Sequence, residues 1–314
     1  GYNVVLSEMT NEKIVKLSQE YSLDETCYPI KLVNGHVASL IEQKVDYIFL
    51  PSLYTMKHEV SKMREDYACV YMQTIPKIVS KVMGLEEKGI KLLSPALSFN
   101  FGKKYMMKTL LKMGLSLHKN PIKVVQSLKK GMKALQEFEK GVEKLGKDLI
   151  EKLSKDEKVF VIITRTYGVV DKGLNMEIPK ILKKMGYKVI TLSHLPAHSM
   201  DISNEYPNMY WPFGQHILSG AKIVRNSENL YAIYLTNHGC GPDGIISHYF
   251  KEEMGDKPYL QIEVDEHSSS VGVVTRLEAF VESVKRYSHK EPKEKSKLEN
   301  KELKKLLIPY LYPY

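Results

Sequence analysis

Residues 230–254 read LYAIYLTNHGCGPDGIISHYFKEEM. The first seven are almost continuously apolar, and a short run of that kind suits a strand buried on both faces of a parallel sheet. The last twelve have the length and composition of a helix. Between them lies NHGC, with Pro242 placed where a first helical turn accepts proline. The unit is strand, turn, helix, and it recurs. Strand-like runs fall at 2–7, 46–51, 90–94, 158–164, 187–192, 230–236 and 259–264. Helix-length stretches fall at 10–20, 29–44, 74–86, 174–185, 210–224, 243–254 and 270–286. This alternation predicts an α/β fold: two doubly wound parallel-sheet lobes of Rossmann or flavodoxin-like type, joined by a helical segment.

The lobes are expected at 1–101 and 157–287, with the helical connector at 102–156. In the connector, Val125, Leu128, Met132, Leu135, Phe138, Val142, Leu145, Leu149 and Leu153 recur in steps of three and four. That is one amphipathic stripe, expected to pack across the two lobes, with a coiled-coil partner as the alternative. Residues 288–304 are charged and nearly free of apolar side chains, which predicts an exposed linker, with the start of a following element by 314. The chain opens on YNVVLS without Met, which suggests a module of a longer polypeptide.

The 314 residues carry a net charge of +9, supplied by lysine. No aromatic-interleaved basic patch is present, so a nucleic-acid platform is not expected. No run reaches the roughly 18 apolar residues of a membrane span, and no signal-peptide pattern opens the chain. Three widely spaced cysteines form no disulfide framework, and a reducing cytoplasm is the expected setting.

Ligands of open α/β sheets gather beyond the carboxyl ends of the strands. Cys240 falls there, after the strand at 230–236, and Cys69 falls in the connection after 46–51. Cys27 and Cys240 share a pattern: a cysteine, a proline two residues on, then a helix. A helix N-terminus favours thiolate, the metal-binding form. Gly239 and Gly241 allow unusual backbone angles and a close approach. The cysteine spacings themselves match no zinc or ferredoxin signature.

The runs SLDETCYPIKLVNGHV, VDYIFLPSL, NHGCGPDG and EVDEHSSSVGVVTRLEAF resemble the cysteine-bearing domain of acyl-CoA dehydratase activase-related proteins. That domain is similar to subunits of 2-hydroxyacyl-CoA dehydratases and to double-cubane cluster proteins. The resemblance covers about 2–287. It implies that Cys27, Cys69 and Cys240 hold an iron–sulfur cluster, either a 4Fe–4S cubane or an 8Fe–9S double cubane across a dimer. Lys31, His36, Asn237, His238, Gly239, Gly241 and Asp243 would surround it. It also implies an ATP-hydrolysing activase domain or protein as electron donor, and a homodimer or larger multidomain chain. Activity of the reductase or dehydratase-like kind would follow, in an anaerobic setting.

Candidate catalytic groups lie in two places. Glu266 and His267 follow the strand at 259–264, and Arg165 follows the strand at 158–164, where it and Tyr167 are expected to line the cleft. Trp211, Gln215 and His216 open another helix and are expected to pack. Two further readings stand beside the cluster: a docking domain that holds none, and a zinc site on the same thiolates.

Overall fold

The computed structural model describes residues 2–58, 60–62, 66–154 and 156–288. The charged stretch expected at 288–314 therefore lies outside the described residues, apart from Ser288.

The N-terminal lobe opens with helices α1 (Glu12–Glu20) and α2 (Tyr28–Glu42), followed by strands β1 (Tyr47–Phe49) and β2 (Ser52–Thr55), helix α3 (Val70–Met83), and strands β3 (Lys91–Leu93) and β4 (Ala96–Ser98). β1 pairs with β3 and β2 with β4, both parallel. Pro51 and Pro95 divide these strands because proline donates no ladder hydrogen bond. The ladder bridges the gap: Leu50 N–H donates to Leu93 and Ser52 N–H to Pro95. The result is one bent parallel ribbon. Its core is Val37, Ala38, Ile48, Ile75, Val79, Met83 and Leu85.

The strand expected at 2–7 does not form. A strand needs a neighbour's backbone, and the ribbon offers none there; Val4 and Leu6 are exposed. Tyr2 instead stacks edge-on against Tyr47 and donates its hydroxyl to the Leu117 carbonyl.

The connector is two helices, α4 (Gly102–Ser116) and α5 (Pro121–Ile150). Asn120 caps α5 by accepting from Ile122 and Lys123 N–H, with Pro121 in the first position. The apolar stripe is not packed across the lobes as expected. Met132, Leu135, Phe138 and Leu145 are all exposed. Only the ends of α5 are held. Val124 sits against Gly114 of α4, and Gly146 lies under His194.

The C-terminal lobe contains β5 (Val159–Ile163), α6 (Thr166–Val170), α7 (Lys172–Asn175), α8 (Ile178–Lys184), β6 (Lys188–Thr191), α9 (Pro212–Asn226), β7 (Leu230–Asn237), α10 (Gly241–Met254), β8 (Leu260–Val264) and α11 (Ser270–Arg286). The helix expected at 174–185 is broken at Met176 and Glu177, which both take positive φ. The four strands form one parallel sheet in the order β6-β5-β7-β8. Alternate residues of β5 and β7 face opposite layers. Val161, Ile163, Ala232 and Tyr234 meet Ile217, Leu218, Ile246 and Phe250 of α9 and α10. Phe160, Ile162, Tyr231 and Ile233 meet α8 and α11. Ile14 of α1 and Tyr28 and Leu32 of α2 join this second layer, so the N-terminal helices are built onto the C-terminal sheet. Among the described residues no helix is long and apolar enough to cross a membrane.

α1 and α2 pack closely because Gly35 has no side chain. A Cβ there would stand 2.3 Å from the Ile14 carbonyl oxygen. Gly35→Ala is expected to destabilise the chain by about 1–3 kcal/mol, the usual range for overpacking, read from the urea unfolding midpoint.

Candidate functional site

In the parallel order β6-β5-β7-β8, the winding reverses at β5: β6 is added on one side of it and β7 on the other. The crevice beyond the carboxyl ends of β5 and β7 is the topological switch point, where open α/β sheets hold ligands. Arg165 leaves the end of β5, and the NHGC turn leaves the end of β7.

Each of the three cysteines is the residue just before a helix. Cys27 precedes α2, Cys69 precedes α3 and Cys240 precedes α10. None of the three thiols caps its own helix. All are free of disulfides. Together they line a single cavity of about 640 Å³. The helix expected at 74–86 in fact begins at Val70, directly after Cys69. Pro76 lies inside α3.

Gly239 makes this convergence feasible. Its φ is +70°, and a Cβ there would stand 3.2 Å from the Cys27 Cα. The NHGC turn therefore lies directly on the turn that carries Cys27, and Tyr28 N–H donates to the His238 carbonyl at 3.1 Å. Gly241 has a different use, since nothing lies within 4 Å of the space its Cβ would fill.

Arg165 is the site's main polar group. It is buried, and its guanidinium donates to Cys240 Sγ at 3.0 Å and to Asp243 Oδ1 at 2.8 Å. It also lies 4.1 Å from the centre of the Phe213 ring. Asp243 is held in turn by the Asn237 N–H at 3.1 Å. Arg165 is thus fixed on three sides with its charge against a sulfur.

The helix-dipole argument predicts acidic thiols, and the opposite holds. Burial, then the Asp243 charge, pushes the Cys240 thiol up to about 12, with Arg165 pulling the other way. Burial also raises Cys27. A helix N-terminus contributes about 0.3–1 kcal/mol, less than one pKa unit, whereas burial shifts a pKa by as much as 3–5 units. Burial therefore prevails, and both thiols are protonated near neutrality. The Cys69 and Cys27 sulfurs are close enough for the charge of one to bear on the other, as are Cys27 and Cys240.

The other expected residues fall outside the cavity. Glu266 is not a free acid: it accepts from the Lys31 ammonium at 2.7 Å in a buried ion pair. His267 is exposed, with Asp265 3.8 Å away. Neither lines the cavity, so of the three candidate catalytic groups only Arg165 is in place. His36 is hydrogen-bonded to Thr10 Oγ1 at 3.1 Å, and Thr10 in turn donates to Asp171. His238 pairs with Glu263 at 2.7 Å on the surface. Lys31, His36, Asn237, His238 and Asp243 thus support or flank the site without facing the cavity.

Sequence reasoning missed the aromatic wall. Tyr67, Tyr71, Tyr210 and Trp211 line the cavity beside the expected Tyr167. Trp211 was expected to pack, and it does both: it stacks on Phe213 and faces the void. The available signal was its place just before a helix that follows a crossover at the carboxyl end of the sheet. Gln215 and His216 do not line the cavity, and Gln215 donates to the Met209 carbonyl at 2.9 Å. Burial lowers His216 to about 3, so it is neutral, and its ring lies 4.5 Å from that of His58.

Two outcomes follow. Lys31→Met leaves Glu266 buried without its partner and is expected to lose about 3–5 kcal/mol near neutral pH, measured by urea unfolding. Burial alone raises the Glu266 carboxyl, but the Lys31 hydrogen bond and charge hold it below its ordinary value. Its contribution is therefore present above the unfolded carboxylate pKa and is lost as pH falls through the lower folded value. The gap between the two proteins should narrow over that acidic window. Separately, Gly239→Ala is expected to lose about 1–3 kcal/mol from its left-handed backbone, whereas Gly241→Ala stays within about 0.5 kcal/mol.

The model of one protein family, described as CoA enzyme activase uncharacterised domain (DUF2229), matches residues 1–195. That span holds the whole N-terminal lobe, both connector helices and the first half of the C-terminal sheet, including Cys27, Cys69 and Arg165. No curated protein matches the chain. The chain therefore belongs to the family of the CoA enzyme activase uncharacterised domain.

Proposed function

We propose that the chain is an iron–sulfur module that takes low-potential electrons from an ATP-hydrolysing activase, as a component of difficult reductions or reductive dehydration. One observation carries this reading: the chain's three cysteines, distant in sequence, each start a helix and meet in one cavity at the switch point of the sheet. The donor set suits a 4Fe–4S cubane, with Cys27, Cys69 and Cys240 as its thiolates. A cubane held by three thiolates supplies, when bound, a one-electron carrier with an iron corner that no protein side chain fills.

The chain's own residues have definite tasks in this reading. The thiols release protons on metal binding, and Arg165 offsets the resulting charge at Cys240. A hydrogen bond from Arg165 to the Cys240 sulfur would also raise the reduction potential of whatever that sulfur ligates. Tyr67, Tyr71, Tyr210 and Trp211 give the cavity an aromatic wall beside the thiols. Among the described residues, no group of three or more His, Cys, Asp or Glu side chains stands close enough to hold a metal ion, so the three thiols would have to draw together around a cluster. A reducing cytoplasm would preserve the three free thiols.

Anaerobic reconstitution with iron and sulfide is the test. A brown protein with about four irons per chain and an EPR signal on reduction is expected. Cys27→Ala, Cys69→Ala and Cys240→Ala should each cut the iron content. A protein that stays colourless, or a Cys240→Ala variant with full iron, overturns the reading in favour of a docking domain. Binding of zinc alone would also overturn it.

A further inference from the structure

Helix α5 is held at its two ends and nowhere between. Residues 129–141 are all exposed, and among the described residues nothing packs on Gly131 or Gly141. Met132, Leu135 and Phe138 are more than half exposed, at 51%, 57% and 67%. A free helical stretch of this length is marginal in water, where about 12–15 residues are needed even for good helix formers. Its two glycines weaken it further. Yet it carries an apolar stripe, and Leu128, Leu135, Val142 and Leu149 recur every seventh residue, the repeat of a helix that winds along another helix.

The charges say which helix. From 121 to 136, α5 holds Lys123, Lys129, Lys130 and Lys133 and no carboxylate. From 137 to 150 it holds Glu137, Glu139, Glu143 and Asp148 against Lys140, Lys144 and Lys147. One half is basic and the other is acidic on balance. A second copy running antiparallel sets each half against its opposite, whereas a parallel copy sets lysine on lysine. The pair within one helix, Lys133 to Glu137 at 3.6 Å, is exposed and weak enough to exchange for a partner's carboxylate.

Glu139 decides against a membrane surface. It lies four residues after Leu135 and three before Val142, so it stands on the apolar face itself. An anionic bilayer would bury that carboxylate among like charges, whereas an antiparallel copy brings the Lys129–Lys133 stretch to it. We propose that α5 is the seam of a homodimer, in which two copies of the chain pack their α5 helices antiparallel about Leu135. This inference rests on α5 alone and is independent of the cysteine cavity.

Sedimentation equilibrium of the full chain at micromolar concentration is the test, with phosphatidylserine vesicles as a second arm. A dimer is expected, with no binding to vesicles. Leu135→Gln with Phe138→Gln, both at exposed positions, should raise the dissociation constant about tenfold or more. Lys129→Glu with Lys133→Glu should also weaken the dimer, and adding Glu139→Lys and Glu143→Lys should restore it to within a few-fold. A monomeric chain overturns the proposal, as does a dimer indifferent to Leu135 and Phe138. Vesicle binding that depends on those two residues overturns it in favour of a membrane. A dimer that needs them but ignores the charge reversals overturns the antiparallel arrangement.

Discussion

Tyr28 N–H donates to the His238 carbonyl across 3.1 Å, and the left-handed Gly239 lies against the Cys27 backbone beside it. These contacts join the first turn of α2 to the turn after β7. Without them, the N-terminal ribbon and the C-terminal sheet would be two small α/β units with one cysteine-bearing edge each. With them, α1 and α2 become part of a layer on the C-terminal sheet, and the starts of α2, α3 and α10 point into one void. The buried Lys31–Glu266 pair, one turn farther along α2, locks the same junction from the side.

The cavity combines opposed electrostatic influences. Burial keeps the Cys27 and Cys240 thiols protonated, and Asp243 adds to that at Cys240. Arg165 opposes them from a position fixed by Asp243 and the Phe213 face. An unoccupied thiolate is thus disfavoured, while the cation needed to support one is already in place. Such a site keeps the Cys27 and Cys240 sulfurs inert near neutral pH.

How much of this was legible depends on the range of the signal. The 230–254 stretch reads correctly because strand and helix obey different periodicities and the glycines mark the turn between them. Cys69 is harder. The expected helix start at 74 falls four residues too late, and only the folded chain shows that α3 begins beside the cysteine. The run at 2–7 has strand-like residues, but strand formation requires a neighbour, and no local pattern reports one. The pairing of Lys31 with Glu266 spans 235 residues and leaves no local trace. The stripe on α5 was readable as a face meant to be covered, although its position in the chain suggested the wrong cover.

The joining of α1 and α2 to the C-terminal sheet also dictates an order of assembly. Ile14, Tyr28 and Leu32 share a core cluster with Ile233, Ile262 and Val264, from strands made about two hundred residues or more later. Until those strands exist, the apolar faces of the first two helices have nothing to close on. Contacts so distant in sequence carry a large loop-closure entropy and form slowly. Helices α1 and α2 must therefore wait, exposed, for strands made much later, and the void where the three thiols meet cannot close before β7 and its following turn exist.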